Sequence, residues 1–310
     1  LCLCILTSVT TSNNYLKYYE LINQVTFATH QKKHSKADSL FQEAVQLVEQ
    51  PFANDYDLAV YNALELNDFD KAFAYLKKAI QLGLSKKKIE RKTWFSKIEN
   101  RTEWFLLEKE YPILWKEYEQ QFDQELRQMI LEIYERDQAF RLEGGEDFDA
   151  DNLEQLRKII SEKGYPGYHQ VGQDINLDIV FHHFSPEDNQ QYFYKNLKEA
   201  VLKGDISPFK YGAIIDYDKL KKDEPVLYGT YFTTIDGVRY LKSVVEDFDT
   251  INARRKSIGL EFIEQFMEKF NIIYDPNIAF RIRDFIVPEL LEEQNHPMRL
   301  VGETLFFFPF

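Results

Sequence analysis

The residues of this chain best suited to chemistry are a histidine, an aspartate and a tyrosine in its second half, His182, Asp216 and Tyr228. If their side chains converge, the imidazole could act as a general base, the carboxylate could orient it and the phenol could donate a proton. Such a set would suit a hydrolase-like site. The alternative interpretation is a hydrogen-bonded core network, because buried polar groups need partners in any protein.

Two carboxylates and an imidazole, Asp174, Asp178 and His182, follow one another at four-residue intervals. On a continuous helix, predicted here over 174–184, they would share one face and could supply half of a metal site. The sequence has no second histidine or cysteine cluster of matching spacing. It also lacks the G-x-S-x-G, P-loop and G-x-G-x-x-G motifs of nucleophilic and nucleotide-binding sites. We therefore predict no metal and no cofactor.

The elements that must position these residues begin with an internal repeat. The stretch KADSLFQEAVQL at 36–47 recurs as KAFAYLKKAIQL at 71–82, so that Ala37 matches Ala72. A period of about 34 residues is typical of tetratricopeptide-like helix pairs, in which small residues let helices approach closely. The sequence predicts a mainly α fold in which residues 13–118 form such an array. The segment that carries Trp94, Trp104 and Trp115 is predicted to close it.

Residues 119–270 are predicted to form a second, multihelical domain with one small β-hairpin. The hairpin strands are predicted at 226–234 and 238–241, because Asp236-Gly237 between them favours the tight turn of a hairpin. Residues 271–310 are predicted to be a C-terminal extension, which ends in the hydrophobic tail Leu305–Phe310.

The first twelve residues, LCLCILTSVTTS, are apolar and then small and hydroxylated, as in a signal peptide and its cleavage zone. We therefore expect export to the periplasm or cell envelope, with a cytoplasmic location as the alternative. Cys2 and Cys4, the two cysteines of the chain, lie in this segment, and lipid attachment at Cys4 is left open. The net charge of −13 argues against nucleic acid as a partner. No apolar run approaches the roughly 20 residues of a spanning helix.

Ordered pieces between Glu125 and Gly259 resemble a bacterial family, domain of unknown function 6624. The pieces are Asp137-Gln138 with Arg141, Gly164-Tyr165-Pro166, His182 with Gln190, Ser207-Pro208, Asp216, Leu227-Tyr228-Gly229-Thr230, and Arg254-Arg255. The resemblance implies no activity, because none is established for the family. It does mark a set of candidate binding residues, namely His182, Gln190, Asp216, Tyr228, Gly229, Thr230, Arg254 and Arg255.

The chain departs from the family pattern at four positions that are polar in that pattern. Here they are occupied by Phe184, Tyr217, Val226 and Tyr231. The loss of four polar side chains together favours a binding or degenerate role over a reaction. We therefore expect an exported interaction or scaffold protein whose helical array binds a protein or peptide partner. The alternative is a hydrolase-like enzyme that uses His182, Asp216 and Tyr228.

Overall fold

The computed structural model describes residues 2–144, 147–242 and 247–275, with the backbone alone described for 2–13 and 143. The predicted tail Leu305–Phe310, like the rest of the C-terminal extension beyond residue 275, lies outside these ranges. The chain divides into two compact units. The boundary predicted at residue 118 does not coincide with this division, and it stays a prediction about folding units.

The first unit runs to Leu177 and also contains Asn196–Ile206. It is built from helices, with a 3-10 turn at Thr93–Lys97 between the fifth and the sixth. The helices are α1 (Cys2–His30), α2 (His34–Ala44), α3 (Ala53–Glu65), α4 (Phe69–Gln81), α5 (Lys86–Ile89), α6 (Thr102–Glu119), α7 (Gln124–Glu143), α8 (Asp149–Lys163) and α9 (Tyr168–Val171).

The second unit consists of Asp178–Lys195 and the described residues from Ser207 onward. Its elements are α10 (Asp178–Phe181), α11 (Pro186–Asp188), a π-helical turn (Asn189–Phe193), the start of α12 (Tyr194–Lys203), α13 (Pro208–Lys221), β1 (Phe232–Ile235), β2 (Val238–Leu241), α14 (Phe248–Ile258), α15 (Ile263–Phe270) and β3 (Ile272–Ile273). The strands form one sheet in which β2 pairs antiparallel with β1 and parallel with β3. The predicted mainly α fold with a small hairpin is confirmed.

The repeated sequence forms the second helix of each of two packed helix pairs, α1 with α2 and α3 with α4. Ala37 and Ala72, which match in the repeat, are both buried, as are Ala44 and Ala79, each about two helical turns further on. Small side chains at these positions let neighbouring helices approach without a cavity. Asp68 begins α4, since its carboxylate accepts a hydrogen bond from the Lys71 amide at 3.1 Å. The tetratricopeptide-like identity of the array stays a prediction.

Helix α6 packs against α4 and carries Trp104, the 3-10 turn Thr93–Lys97 carries Trp94, and both side chains belong to the core of the array. Trp94 and Trp104 are buried, and the Trp94 indole nitrogen donates to the Asp57 carboxylate at 3.1 Å. Trp115 is half-buried and stacks on Tyr111, with ring centroids 5.7 Å apart. These contacts are those of a closing segment. None of the helices in the described ranges is long and apolar enough to cross a bilayer.

Tyr15, near the middle of α1, and the N-terminal end of α3 contact the segment around α9 within the first unit. The Phe52 ring lies edge-on to Tyr168 at 5.4 Å, and the Ala53 amide donates to the Gln173 side-chain oxygen at 2.8 Å. The Tyr15 hydroxyl lies 3.1 Å from His169 Nε2, whose ring also contacts Asp205 at 2.8 Å. The array therefore does not stand free, because part of the family-like segment packs on it.

The predicted helix over 174–184 is wrong. Only Asp178–Phe181 is helical, and Asp174 and Asp178 belong to different units. Asp174 instead pairs with Arg127, whose nitrogens lie 2.9 and 2.6 Å from its two carboxylate oxygens. Asp178 pairs with Lys210 at 2.5 Å. The helical face that the predicted half metal site required is therefore not formed. Each of the two carboxylates is instead bound by a cation of its own.

The predicted first strand of the hairpin is too long, since β1 begins only at Phe232. The turn is as expected, with φ of +50° at Asp236 and +79° at Gly237, the left-handed values that a tight hairpin turn requires. Residues 226–231 form a loop, because three of their amides bind a side chain instead of a neighbouring strand. The amides of Leu227, Tyr228 and Thr230 all donate to Asp216.

Asp55 lies in the first turn of α3, after the N-cap position that Phe52 occupies. Its carboxylate accepts a hydrogen bond from the Tyr18 hydroxyl, which itself accepts from the Phe52 amide at 3.0 Å. Desolvation raises the pKa of Asp55 from 3.8 to about 7, and the bond from Tyr18 only partly opposes that shift.

We predict that Ala72→Leu overpacks the contact of α4 with the helix packed against it, and lowers the free energy of unfolding by about 1–3 kcal/mol. Ala74→Leu is the matched control, because Ala74 is exposed on the same helix. Chemical denaturation of both variants measures the difference. An Ala72→Leu variant as stable as Ala74→Leu would contradict the close packing of the repeat.

We also predict that the stability of the protein falls as pH rises, through Asp55. Between about pH 4 and pH 7 the folded state holds a proton on Asp55 that the unfolded state has lost, so this contribution is lost as pH rises through about 7. Asp55→Asn cannot ionise and still accepts from Tyr18. The thermal midpoint of Asp55→Asn, measured relative to that of the wild type at the same pH, should therefore rise between about pH 5 and pH 8. The exposed Asp70→Asn should show no such gain, and equal behaviour of the two variants would contradict the shift.

Candidate functional site

Asp216, on the buried face of α13, is the centre of the predicted site and is fully buried. One carboxylate oxygen accepts from the amides of Leu227 at 2.8 Å and Tyr228 at 2.9 Å. The other accepts from the amide and the hydroxyl of Thr230, both at 2.8 Å. Burial raises the pKa of Asp216, and the four hydrogen bonds oppose that shift. Because donors occupy both oxygens, the geometry binds the carboxylate form and leaves no position from which it could orient a base.

Arg255 holds the same loop from α14. Its side chain is fully buried, and one guanidinium nitrogen donates to the Tyr228 carbonyl while another donates to the Glu261 carbonyl at 2.6 Å. Burial lowers the pKa of Arg255, and the charges of Glu261 and Asp216 oppose the shift. The adjacent Arg254 is half-buried, and its positive charge acts to lower the pKa of Tyr228, against the larger effect of burial. Loop 227–230 is thus held by an anion at its amides and by a cation at its carbonyl.

Tyr228 does not direct its hydroxyl at Asp216 or His182. The hydroxyl is hydrogen-bonded to Tyr211 of α13, and the two rings lie 5.8 Å apart, edge to face. Burial raises the pKa of Tyr228, so its phenol is a weak acid here. Gly229 is buried with a φ of +62°, a left-handed conformation that a side chain would strain. These residues shape a loop.

His182 follows α10 and stacks on Tyr217 of α13, with ring centroids 4.9 Å apart and ring planes 17° apart. Desolvation of the half-buried ring lowers the pKa of His182 to about 4, so the imidazole is neutral at pH 7. Within the described ranges no hydrogen bond joins His182 to Asp216 or Tyr228. The structure therefore does not assemble the three candidate residues as base, orienter and proton donor.

Gln190 is exposed on the π-helical turn, and the buried amide is its neighbour Asn189. The Asn189 side-chain nitrogen donates to the Phe181 carbonyl at 2.7 Å and to Asp218 at 2.9 Å. The Tyr194 hydroxyl donates to the same Asp218 oxygen at 2.8 Å. Sequence reasoning missed Asn189, Asp218 and Tyr194. Only the buried polar network itself could have revealed them, because no spacing rule separates two adjacent amides.

A second loop, in the first unit, is held in the same manner. Arg127 donates to the Val171 carbonyl as well as to Asp174. The Tyr118 hydroxyl donates to Asp174 at 2.7 Å and accepts from the Gln173 amide at 2.6 Å. The residues of this set thus form hydrogen bonds with one another. Across the described residues no group of three or more His, Cys, Asp or Glu side chains is placed to hold a metal ion.

Comparison with known families identifies the second half of the chain. A family model described as a family of unknown function, DUF6624, matches residues 117–278, more than half of the chain. The chain belongs to this family. No curated protein and no solved structure matches it.

The four residues that the sequence analysis singled out as departures from the resembled pattern lie among aromatic and apolar side chains. Tyr217 stacks between His182 and Tyr231, which lies 6.1 Å from it, while Phe184 and Val226 are buried in apolar surroundings. An aromatic stack and apolar packing therefore lie beside the Asp216 loop.

We predict that Asp216→Asn lowers the free energy of unfolding by about 2–5 kcal/mol, because the amide nitrogen faces backbone donors that then lose their acceptor. Tyr228→Phe is the matched comparison, since it keeps those donors and loses only the bond to Tyr211. It should cost about 1 kcal/mol. Urea denaturation of both variants measures the two values, and an Asp216→Asn variant no less stable than Tyr228→Phe would refute the loop-holding role.

Proposed function

We propose that the protein is an interaction protein and that a partner protein docks on the outer face of α6. The observation that carries this proposal is the exposure of three large apolar side chains on that helix. Phe105 is 48% exposed, Leu106 62% and Ile113 61%. Leu106 and Ile113 are seven residues apart and so lie on one face. Exposed apolar clusters on a soluble surface mark sites of association.

The position of α6 supports the proposal. Arrays of helix pairs normally end in a helix with a polar outer face, because nothing further stacks on it. Here α6 packs on α4 with one face and presents apolar side chains on the other. The N-terminal end of α3, by contrast, is in contact with the chain's own segment around α9.

The hydrolase-like alternative gains no support from the geometry. Asp216 is engaged with loop 227–230, and Tyr228 with Tyr211. His182 stacks on Tyr217. Export to the periplasm or cell envelope remains part of the proposal, and its support is the composition of residues 1–12.

A photo-crosslinking side chain at position 106, introduced in the cells of origin, tests the docking face. We expect a defined protein adduct at position 106 and none at position 142, where Leu142 is 53% exposed on α7. Adding Ile113→Ser should abolish the adduct, because it removes one of the two large apolar side chains that remain on this face when position 106 carries the crosslinker. An adduct that persists in Ile113→Ser, or that forms equally at position 142, would contradict the proposal.

A further inference from the structure

The outer face of α6 carries a regular line of four side chains, Leu106, Lys109, Ile113 and Lys116, which we call the α6 stripe. Their spacing of three, four and three residues places them along one side of the helix. All four are exposed. The stripe alternates apolar and cationic side chains, and Phe105 adds apolar surface beside it.

Three of the five acidic residues of α6 pair with cations that lie outside the helix. Glu108 pairs with Lys86 at 2.5 Å, and Glu110 pairs with Lys77 of α4. Glu103 pairs with Arg101 at 2.9 Å. Within the described part of the chain, Lys109 and Lys116 have no ion-pair partner.

The charge of the stripe is opposite to that of the molecule. The chain has a net charge of −13, yet this apolar face carries two uncompensated lysines and one exposed carboxylate, Glu117, at its C-terminal edge. A partner with acidic groups between apolar residues would match both features. Such a match selects a partner by charge while the apolar contacts supply affinity.

We propose, building on the function proposed above, that the α6 stripe binds an acidic amphipathic helix of a partner protein. The partner's apolar residues would pack on Leu106 and Ile113, and its carboxylates would lie against Lys109 and Lys116. A helix suits this surface because side chains spaced by three and four residues interlock with the same spacing on a second helix. Two copies of this chain paired through the stripe would bring four lysines together, which opposes self-association.

Synthetic peptides test the partner's chemistry. The acidic probe is a peptide of about 20 residues, long enough to form a helix, with leucines at alternating three- and four-residue spacing and glutamates between them. The matched probe has lysine in place of every glutamate. Fluorescence anisotropy with the full chain should show binding of the acidic peptide only, and this binding should weaken as salt is added.

Variants assign the binding to the stripe. Leu106→Ser with Ile113→Ser, and separately Lys109→Glu with Lys116→Glu, should each weaken binding of the acidic peptide by about tenfold or more. Leu66→Ser and the pair Lys78→Glu with Lys87→Glu are the controls, since they change exposed residues of the same types off α6. The controls should bind as the wild type does, and all variants should keep the wild-type thermal midpoint because the changed residues are exposed.

Several results would overturn the inference. Equal binding of the two peptides, or no binding of the acidic one, would remove the charge preference. Concentration-dependent dimerisation by light scattering, lost in Leu106→Ser with Ile113→Ser, would assign the stripe to a second copy. Binding that emerges only after removal of residues 305–310 would assign it to the chain's own tail. A crosslinked protein at position 106 together with any of these results would leave the docking face standing while refuting the acidic helix.

Discussion

Buried backbone that is neither helix nor strand needs hydrogen bonds from side chains, and this constraint shapes both units of the protein. Buried amides and carbonyls without partners cost folding free energy. In the second unit, Asp216 accepts from loop 227–230 and Arg255 donates to it. In the first unit, Arg127 donates to the Val171 carbonyl and pairs with Asp174. In each loop, therefore, buried charged side chains satisfy part of the backbone that helices satisfy internally.

Charges used in this way are not available for chemistry. A carboxylate that already accepts four hydrogen bonds has no free oxygen for a histidine, and a fully buried guanidinium cannot reach a substrate. The candidate residues Asp216, Tyr228 and Thr230 thus bind one another, through the backbone of Tyr228 and the hydroxyl of Thr230. What they specify in this chain is the shape of a loop. The same residue types could serve a reaction only if the loop released them, at the cost of its buried amides.

The sequence was informative where structure is local. The alanine register of the repeat predicted the buried crossings of α2 and α4, and Asp236-Gly237 predicted the hairpin turn. It failed where a side chain bonds distant backbone. Asp216 binds amides 11 to 14 positions further along the chain. Because of these bonds, the observed strand begins later than the predicted one. The helix predicted over 174–184 failed for a related reason, since Arg127 binds Asp174 from 47 positions away.

The contrast between Asn189 and Gln190 shows the limit for the site itself. Both are amides and they are adjacent, so composition and spacing cannot tell which one is buried. The π-helical turn settles the choice, because it sets Asn189 against Phe181 and Asp218 and leaves Gln190 in solvent. The outer face of α6 is subject to the same kind of non-local decision. Lysines outside α6 bind Glu108 and Glu110. These ion pairs offset two negative charges of the helix, so that its own two lysines stand between the exposed apolar residues. The surface chemistry of α6 is therefore a consequence of how the array packs, and the sequence of α6 alone does not contain it.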